Sequence, residues 1–217
     1  MVILNNVISK IEVQKKNKER VNVYIDGEYA FPCNSEVIFL HRVKVGQVID
    51  VDNLQEIINM DEYIKCKNSA LRIIEKSYKT RKQIYDKLIK KDYDKVAIEK
   101  ALDFLNEYKL LDDEKYAEAY IKEKIRSQGK NKIKYALISR GISEEIIQEK
   151  LSLIDGEEEE QTAIILAEKK YRLLLRNEED SKKIYKKLGD YLISRGYKFQ
   201  LIKTVLNKVI KDFNDEY

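Results

Sequence analysis

In the first part of the chain, apolar side chains recur at every second position. Ile11 and Val13 alternate with Glu12 and Gln14. Val21, Val23 and Ile25 alternate with Asn22 and Tyr24, and Tyr29 and Phe31 keep the rhythm. This alternation places one face of an extended strand on a core. Asp26-Gly27 supplies the positive φ angles of a tight hairpin turn, residues 15–20 make a charged tip, and Pro32, with no N–H for a ladder, closes the third strand. The pattern predicts a small β-meander, a short helix over residues 35–40, and a candidate further strand at residues 48–51.

From about residue 58 the period becomes helical. Tyr63, Cys66, Ala70, Leu71 and Ile74 form one stripe; Tyr116, Ala117, Tyr120 and Ile121 form another. This part also repeats itself. Leu88-Ile89-Lys90-Lys91-Asp92-Tyr93 is echoed by Leu137-Ile138-Ser139-Arg140-Gly141-Ile142 and by Leu192-Ile193-Ser194-Arg195-Gly196-Tyr197, copies that start 49 and 55 residues apart. In each copy an Ile lies ten residues after the leading Leu (Ile98, Ile147, Ile202), and a Leu four further on (Leu102, Leu151, Leu206). A shared register of this length marks a triplicated unit. Within one unit a helix ends at a basic residue, glycine (Gly141, Gly196) takes the left-handed position after it, and a third helix packs back. The units' first helices are expected over residues 61–77, 112–126 and 157–176, with Asp112 as an N-cap. Asp92 stands where the first copy should have glycine, and aspartate tolerates that conformation less well, so this turn is expected to be built differently. The expected fold is mainly α: a β-rich region over 1–57, then three-helix repeats over 58–109, 110–155 and 156–217.

Composition fits thin, multiple cores. Of 217 residues, 37% are charged and 43% hydrophobic, with one proline and no tryptophan. Cys33 and Cys66 are the only cysteines, too few for a disulfide framework. Met1 leads into Val2-Ile3-Leu4, but Asn5 and Asn6 follow at once, so a leader is not expected, and no stretch is long enough to span a membrane. A cytoplasmic monomer is the expectation.

Net charge is only +4, but it is segregated. Residues 76–91, 122–140 and 181–203 each hold seven basic residues and one acidic, whereas residues 92–107 sum to −3 and 143–158 to −5. Mixed signs would serve a solvated helix better. One reading is attraction between basic and acidic helices of the same unit. The other is a basic stripe for phosphates or an acidic protein groove, with Arg81, Lys82, Arg126, Lys130, Lys132, Lys134, Arg140, Lys183, Lys187 and Arg195 as its contacts. Tyr85, Tyr135 and Tyr185 interleave with it, and their spacing favours partial burial over base stacking.

Nothing points to catalysis. His41 stands alone, Asp112-Asp113 and Asp50-Val51-Asp52 read as helix caps before metal ligands, and the seven glycines include no phosphate-cradling loop. No catalytic, metal or cofactor residue is assigned.

Three stretches in order are similar to the RecX family of recombination regulators: Arg20-Val21-Asn22-Val23-Tyr24-Ile25-Asp26-Gly27-Glu28-Tyr29-Ala30-Phe31, then Leu111-Asp112-Asp113-Glu114-Lys115-Tyr116-Ala117, then the run at 129–142 that ends in Ser139-Arg140-Gly141-Ile142. Residues 188–197 resemble the family's closing repeat. The first repeat departs from the pattern at Ser77, Gln83 and Asp92, where the family has Arg, Glu and Gly; Thr80 matches. The resemblance implies a protein that lies along the groove of the RecA filament on single-stranded DNA and opposes ATP turnover and strand exchange in DNA repair. It would touch neighbouring filament subunits, with the DNA reached through the filament or by weak direct binding. A direct DNA-binding regulator made of tandem helix-turn-helix-like modules is the alternative, although the helix after each turn is acidic in the first two copies. A passive helical scaffold is the third reading.

Overall fold

The computed structural model describes residues 6–215, with side chains through residue 211. Residues 1–5, on which the leader reading rests, lie outside the described residues. The chain forms two compact units. One holds residues up to Lys79 together with Ile84–Leu111; the other holds Thr80–Gln83 and the residues from Asp112 onward.

In the first unit, β1 (Ile8–Val13), β2 (Arg20–Ile25) and β3 (Glu28–Asn34) make an antiparallel sheet in sequence order. Asp26 and Gly27 turn the second hairpin with φ of 50° and 88°. The sheet buries Ile8, Val21, Val23 and Cys33 against Val37 of α1 (Ser35–Leu40) and against Ile57 and Ile64 of α2 (Val51–Lys76). Pro32 does not end the third strand, which continues to Asn34. β3 is an edge strand, where a missing N–H breaks no ladder bond. Asn34 then caps α1 by accepting the Glu36 N–H at 2.8 Å.

Residues 48–51 are not a strand. Val48 makes one isolated bridge with Val7, and Asp50 N-caps α2 by accepting the Asn53 N–H at 2.7 Å. Because α2 runs unbroken from Val51 to Lys76, it crosses the limit expected at 57/58. No glycine, proline or internal cap interrupts it, so one helix serves two cores. Its second half buries Cys66, Ala70 and Ile73 with Ile84 and Leu88 of α3 (Arg81–Ile89) and Ile98, Leu102 and Leu105 of α4 (Lys95–Glu107). Cys33 and Cys66 are free and buried, and burial pushes each thiol up to about 11.

The second unit contains two three-helix sets. α5 (Asp113–Lys124), α6 (Lys130–Ser139) and α7 (Glu144–Ser152) enclose Ala117, Ile121, Ile133, Leu137, Ile147 and Leu151. α8 (Gly156–Leu174), α9 (Ser181–Arg195) and α10 (Phe199–Asp215) enclose Ala163, Ala167, Leu188, Leu192, Ile202 and Leu206. The repeated Leu, Ile and Leu of all three copies are buried, which is why their spacing is preserved. Among the described residues, no helix is long and apolar enough to cross a membrane.

One charged residue joins sheet to helix in the first unit. Asp61, only 5% exposed, accepts the Asn34 N–H at 2.7 Å, two Arg20 guanidinium bonds at 3.2 and 3.3 Å, and the Lys65 ammonium at 2.6 Å. It covers the outward N–H that β3 would otherwise leave bare and gives Arg20 its counter-charge. Asp61→Ala is expected to cost about 2–4 kcal/mol, because a donor and a largely covered guanidinium lose their acceptor together. A urea midpoint unchanged from wild type would refute this role.

Candidate partner-binding surface

The turn between a unit's second and third helices is closed in one way throughout. The Gly141 N–H donates to the Ile138 carbonyl and the Ile142 N–H to that of Leu137; Gly196 and Tyr197 repeat this on Ile193 and Leu192. Asp92 and Tyr93 do the same on Ile89 and Leu88, with Asp92 at a φ of 60° beside 84° and 90° for the two glycines. The Asp92 turn is therefore not built differently: aspartate accepts the left-handed conformation here.

What the two glycines add is room. The α9 C-terminus abuts the α6 N-terminus. The Gly129 N–H donates to the Arg195 carbonyl at 2.9 Å, the Asn131 N–H to the Gly196 carbonyl at 3.2 Å, and the Lys132 ammonium to the Ser194 carbonyl at 2.9 Å. Glu159, buried near the start of α8, accepts the Lys130 N–H at 2.9 Å. A Cβ on Gly196 would meet the Lys132 backbone N at 2.5 Å, and one on Gly129 would meet the Gly196 carbonyl oxygen at 2.5 Å.

Thr80–Gln83 meets the α6 C-terminus in a related way. Thr80 and Gln83 form a reciprocal capping box, each side chain accepting the other's N–H at 3.2 Å. The buried Thr80 hydroxyl donates to the Arg140 carbonyl at 2.6 Å, and the Lys82 ammonium to that of Ser139 at 3.3 Å. Asp113 accepts the Arg81 N–H at 3.1 Å, and its own pKa is raised by burial. A Cβ on Gly141 would meet the Lys82 Cβ at 2.5 Å. Helix N-termini thus rest on helix C-termini, with donors, acceptors and dipoles matched.

Several residues singled out for a partner already have duties inside the chain. Lys82 and Lys132 cover helix-end carbonyls. Lys130 donates to the Ile154 carbonyl at 2.9 Å and lies 3.9 Å from Glu159. Lys134 pairs with Glu144 at 3.2 Å, Lys183 with Asp180 at 3.9 Å, and Lys187 with Glu178 at 2.7 Å. Arg140 donates to the Ala136 carbonyl at 2.6 Å and lies over the Tyr120 ring; Arg195 lies over Tyr191. Arg126 is exposed, and so are the side chains of Lys82, Lys132, Lys183 and Lys187 despite their contacts; Arg81 is half-buried. Tyr85 is half-buried as expected, but Tyr135 is 71% and Tyr185 41% exposed. Tyr135 falls midway between the core positions Ile133 and Leu137, and Tyr185 directly follows Ile184, so neither is on the buried stripe. The spacing gave no warning of the contacts made by Gly129, Asp113 and Glu159, nor of the Thr80 bond to Arg140, because each joins residues far apart along the chain. Tyr197 is buried as well, which pushes its hydroxyl up to about 12.

Asp112 caps α5 by accepting the Lys115 N–H at 2.8 Å, which lowers its pKa, and His41 lies 4.0 Å from Glu56. Among the described residues, no group of three or more His, Cys, Asp or Glu is placed to hold a metal ion.

Family models cover most of the chain: "Regulatory protein RecX N-terminal domain" at residues 6–50, and the first, second and third three-helix domains of RecX at 66–105, 112–151 and 157–206. A relative named "Regulatory protein RecX" from Clostridium tetani is 52% identical, covering 94% of this chain and 95% of its own; another from Clostridium perfringens is 50% identical, covering 97% and 98%. A crystal structure of regulatory protein RecX superposes with a TM-score of 0.73 at 29% identity, covering 93% of this chain and 98% of that one. A crystal structure of RecX from Lactobacillus salivarius gives 0.62 at 25% identity, covering 69% and 97%.

The close approach at Gly196 gives a direct comparison. Gly196→Ala is expected to cost about 2–4 kcal/mol, from left-handed strain plus the clash with Lys132. Asp92→Gly, at the equivalent turn, should change stability by less than about 1 kcal/mol. Equal thermal midpoints for Gly196→Ala and wild type would show that the helix ends do not need this contact.

Proposed function

Because the chain belongs to the RecX family of regulatory proteins, we propose that it binds the RecA filament on single-stranded DNA along its groove and restrains ATP turnover and strand exchange. Modularity carries this reading. Equivalent helix-end contacts recur, and each three-helix repeat has its own exposed basic side chains: Lys82 in the first, Arg126 and Lys132 in the second, Lys183 and Lys187 in the third. A repeated binder meeting a repeated polymer gains from effective concentration, since one bound unit holds the next near its target. The acidic first turn of α7, with Glu144 and Glu145, speaks against that helix entering a DNA groove.

Co-sedimentation separates the readings. The protein is expected to pellet with ATP-loaded filaments far more than with recombinase alone or bare DNA, and to lower DNA-dependent ATP hydrolysis. Equal binding to bare DNA would favour the direct regulator, and binding to none of the three the passive scaffold.

In this reading the protein does no chemistry of its own. Purified alone with magnesium, it is expected neither to hydrolyse nucleotide nor to cut DNA. Asp113 gives one carboxylate oxygen to the Arg81 N–H, the role of a helix-end acceptor. Metal-dependent cleavage that disappears in Asp113→Asn would overturn this.

A further inference from the structure

We propose that the second unit holds two anion sites, each a lysine and an arginine set on one tyrosine ring, and that they take backbone phosphates of single-stranded nucleic acid. The inference rests on the reading that the protein works on a nucleoprotein filament, and adds that its own side chains touch the strand.

In the first site the Arg140 guanidinium lies 4.6 Å and the Lys124 ammonium 5.8 Å from the Tyr120 ring centroid. In the second, Arg195 lies 5.0 Å and Lys170 5.8 Å from the Tyr191 ring. The cations correspond across the repeats. Arg140 and Arg195 precede the two left-handed glycines, and Lys124 and Lys170 each fall seven residues after a buried alanine, Ala117 or Ala163. The ring does not correspond. Tyr120 comes from α5 and Tyr191 from α9; Leu166 stands at the place of Tyr120 in the later repeat, and Ala136 at the place of Tyr191 in the earlier one. Two different helices therefore deliver a tyrosine to the same pair of cations. Packing of a repeated core does not demand that; the cation pair does.

Three of these four charges have no ion-pair partner among the described residues. Among the described residues, none of Arg140, Arg195 and Lys170 has a carboxylate within ion-pair distance, in a chain with 38 acidic residues for 42 basic ones. Lys124 pairs with the neighbouring Glu123, which raises its pKa, while the Arg140 charge opposes its protonation. A ring face stabilises a nearby cation by about 0.5–1 kcal/mol at exposed sites, which accounts for one cation but not for a second repelled by the first. Capping of α6 uses one Arg140 nitrogen, on the Ala136 carbonyl. The lysines cap nothing. A phosphodiester offers two anionic oxygens, one for the guanidinium fork and one for the ammonium, and the tyrosine that carries both cations is half-buried.

The test is fluorescence anisotropy of the full chain with a fluorescein-labelled oligothymidylate, across a range of potassium chloride. Lys124→Gln combined with Lys170→Gln should weaken binding and flatten the log–log salt slope by about 1.4, two contacts at about 0.7 each, with unchanged circular dichroism. Arginine at both positions should restore it. The exposed neighbours Lys122→Gln and Lys169→Gln should lower affinity much less. An unchanged slope in the folded double variant, an equal loss in the control pair, or stronger competition by polyglutamate than by unlabelled oligothymidylate would overturn the proposal. Filament co-sedimentation is scored on the same variants. Filament binding kept while oligonucleotide binding falls supports the sites, and loss of neither refutes them while leaving the filament reading intact.

Discussion

An α-helix begins with N–H groups that have no acceptor inside the helix, and α6 begins at a glycine whose side chain can offer none. The Gly129, Lys130 and Asn131 N–H groups are met from outside by the carbonyls at the end of α9 and by Glu159. Each end supplies what the other lacks, since carbonyls at a C-terminus are unpaired for the same reason. The partial charges also have the right signs. Gly129 and Gly196 let the two backbones come this close, and the second three-helix set is positioned by that contact.

This constraint accounts for an apparent irregularity. The three turns share one hydrogen-bond pattern, yet one of them carries Asp92. At Gly141 and Gly196 a side chain would strike Lys82 or Lys132. The left-handed angle alone can be met by aspartate; the close approach cannot. Glycine in this motif is thus a mark of docking more than of turning.

The same logic divides the basic residues into two kinds. Some cover helix-end carbonyls or neutralise nearby acids, and for these the attraction between basic and acidic helices, weighed against a binding stripe, describes their partners well: Lys134 with Glu144 is one such pair. Others lie on a tyrosine ring and have no carboxylate within ion-pair distance among the described residues. Arg195 and Lys170 belong to that second kind, and they are distinguished from the first only by their neighbours in space.

The triplicated register, the meander, the Asp26-Gly27 turn, the short helix at Ser35–Leu40 and the cap at Asp112 were legible in the sequence, because each depends on residues a few positions apart. So was the family, through motifs in a fixed order. The continuity of α2 across residue 57 was hidden by a change of core partners in mid-helix: its apolar stripe turns from the sheet to α3 and α4, so no single period spans it. The duties of Asp61, Thr80, Asp113 and Glu159 were hidden for a stronger reason. The partners that define those duties lie between 27 and 60 residues away along the chain, as in Asn34 to Asp61 and Thr80 to Arg140. Local pattern specifies which backbone groups a helix leaves unsatisfied. Only the tertiary structure decides which distant group satisfies them.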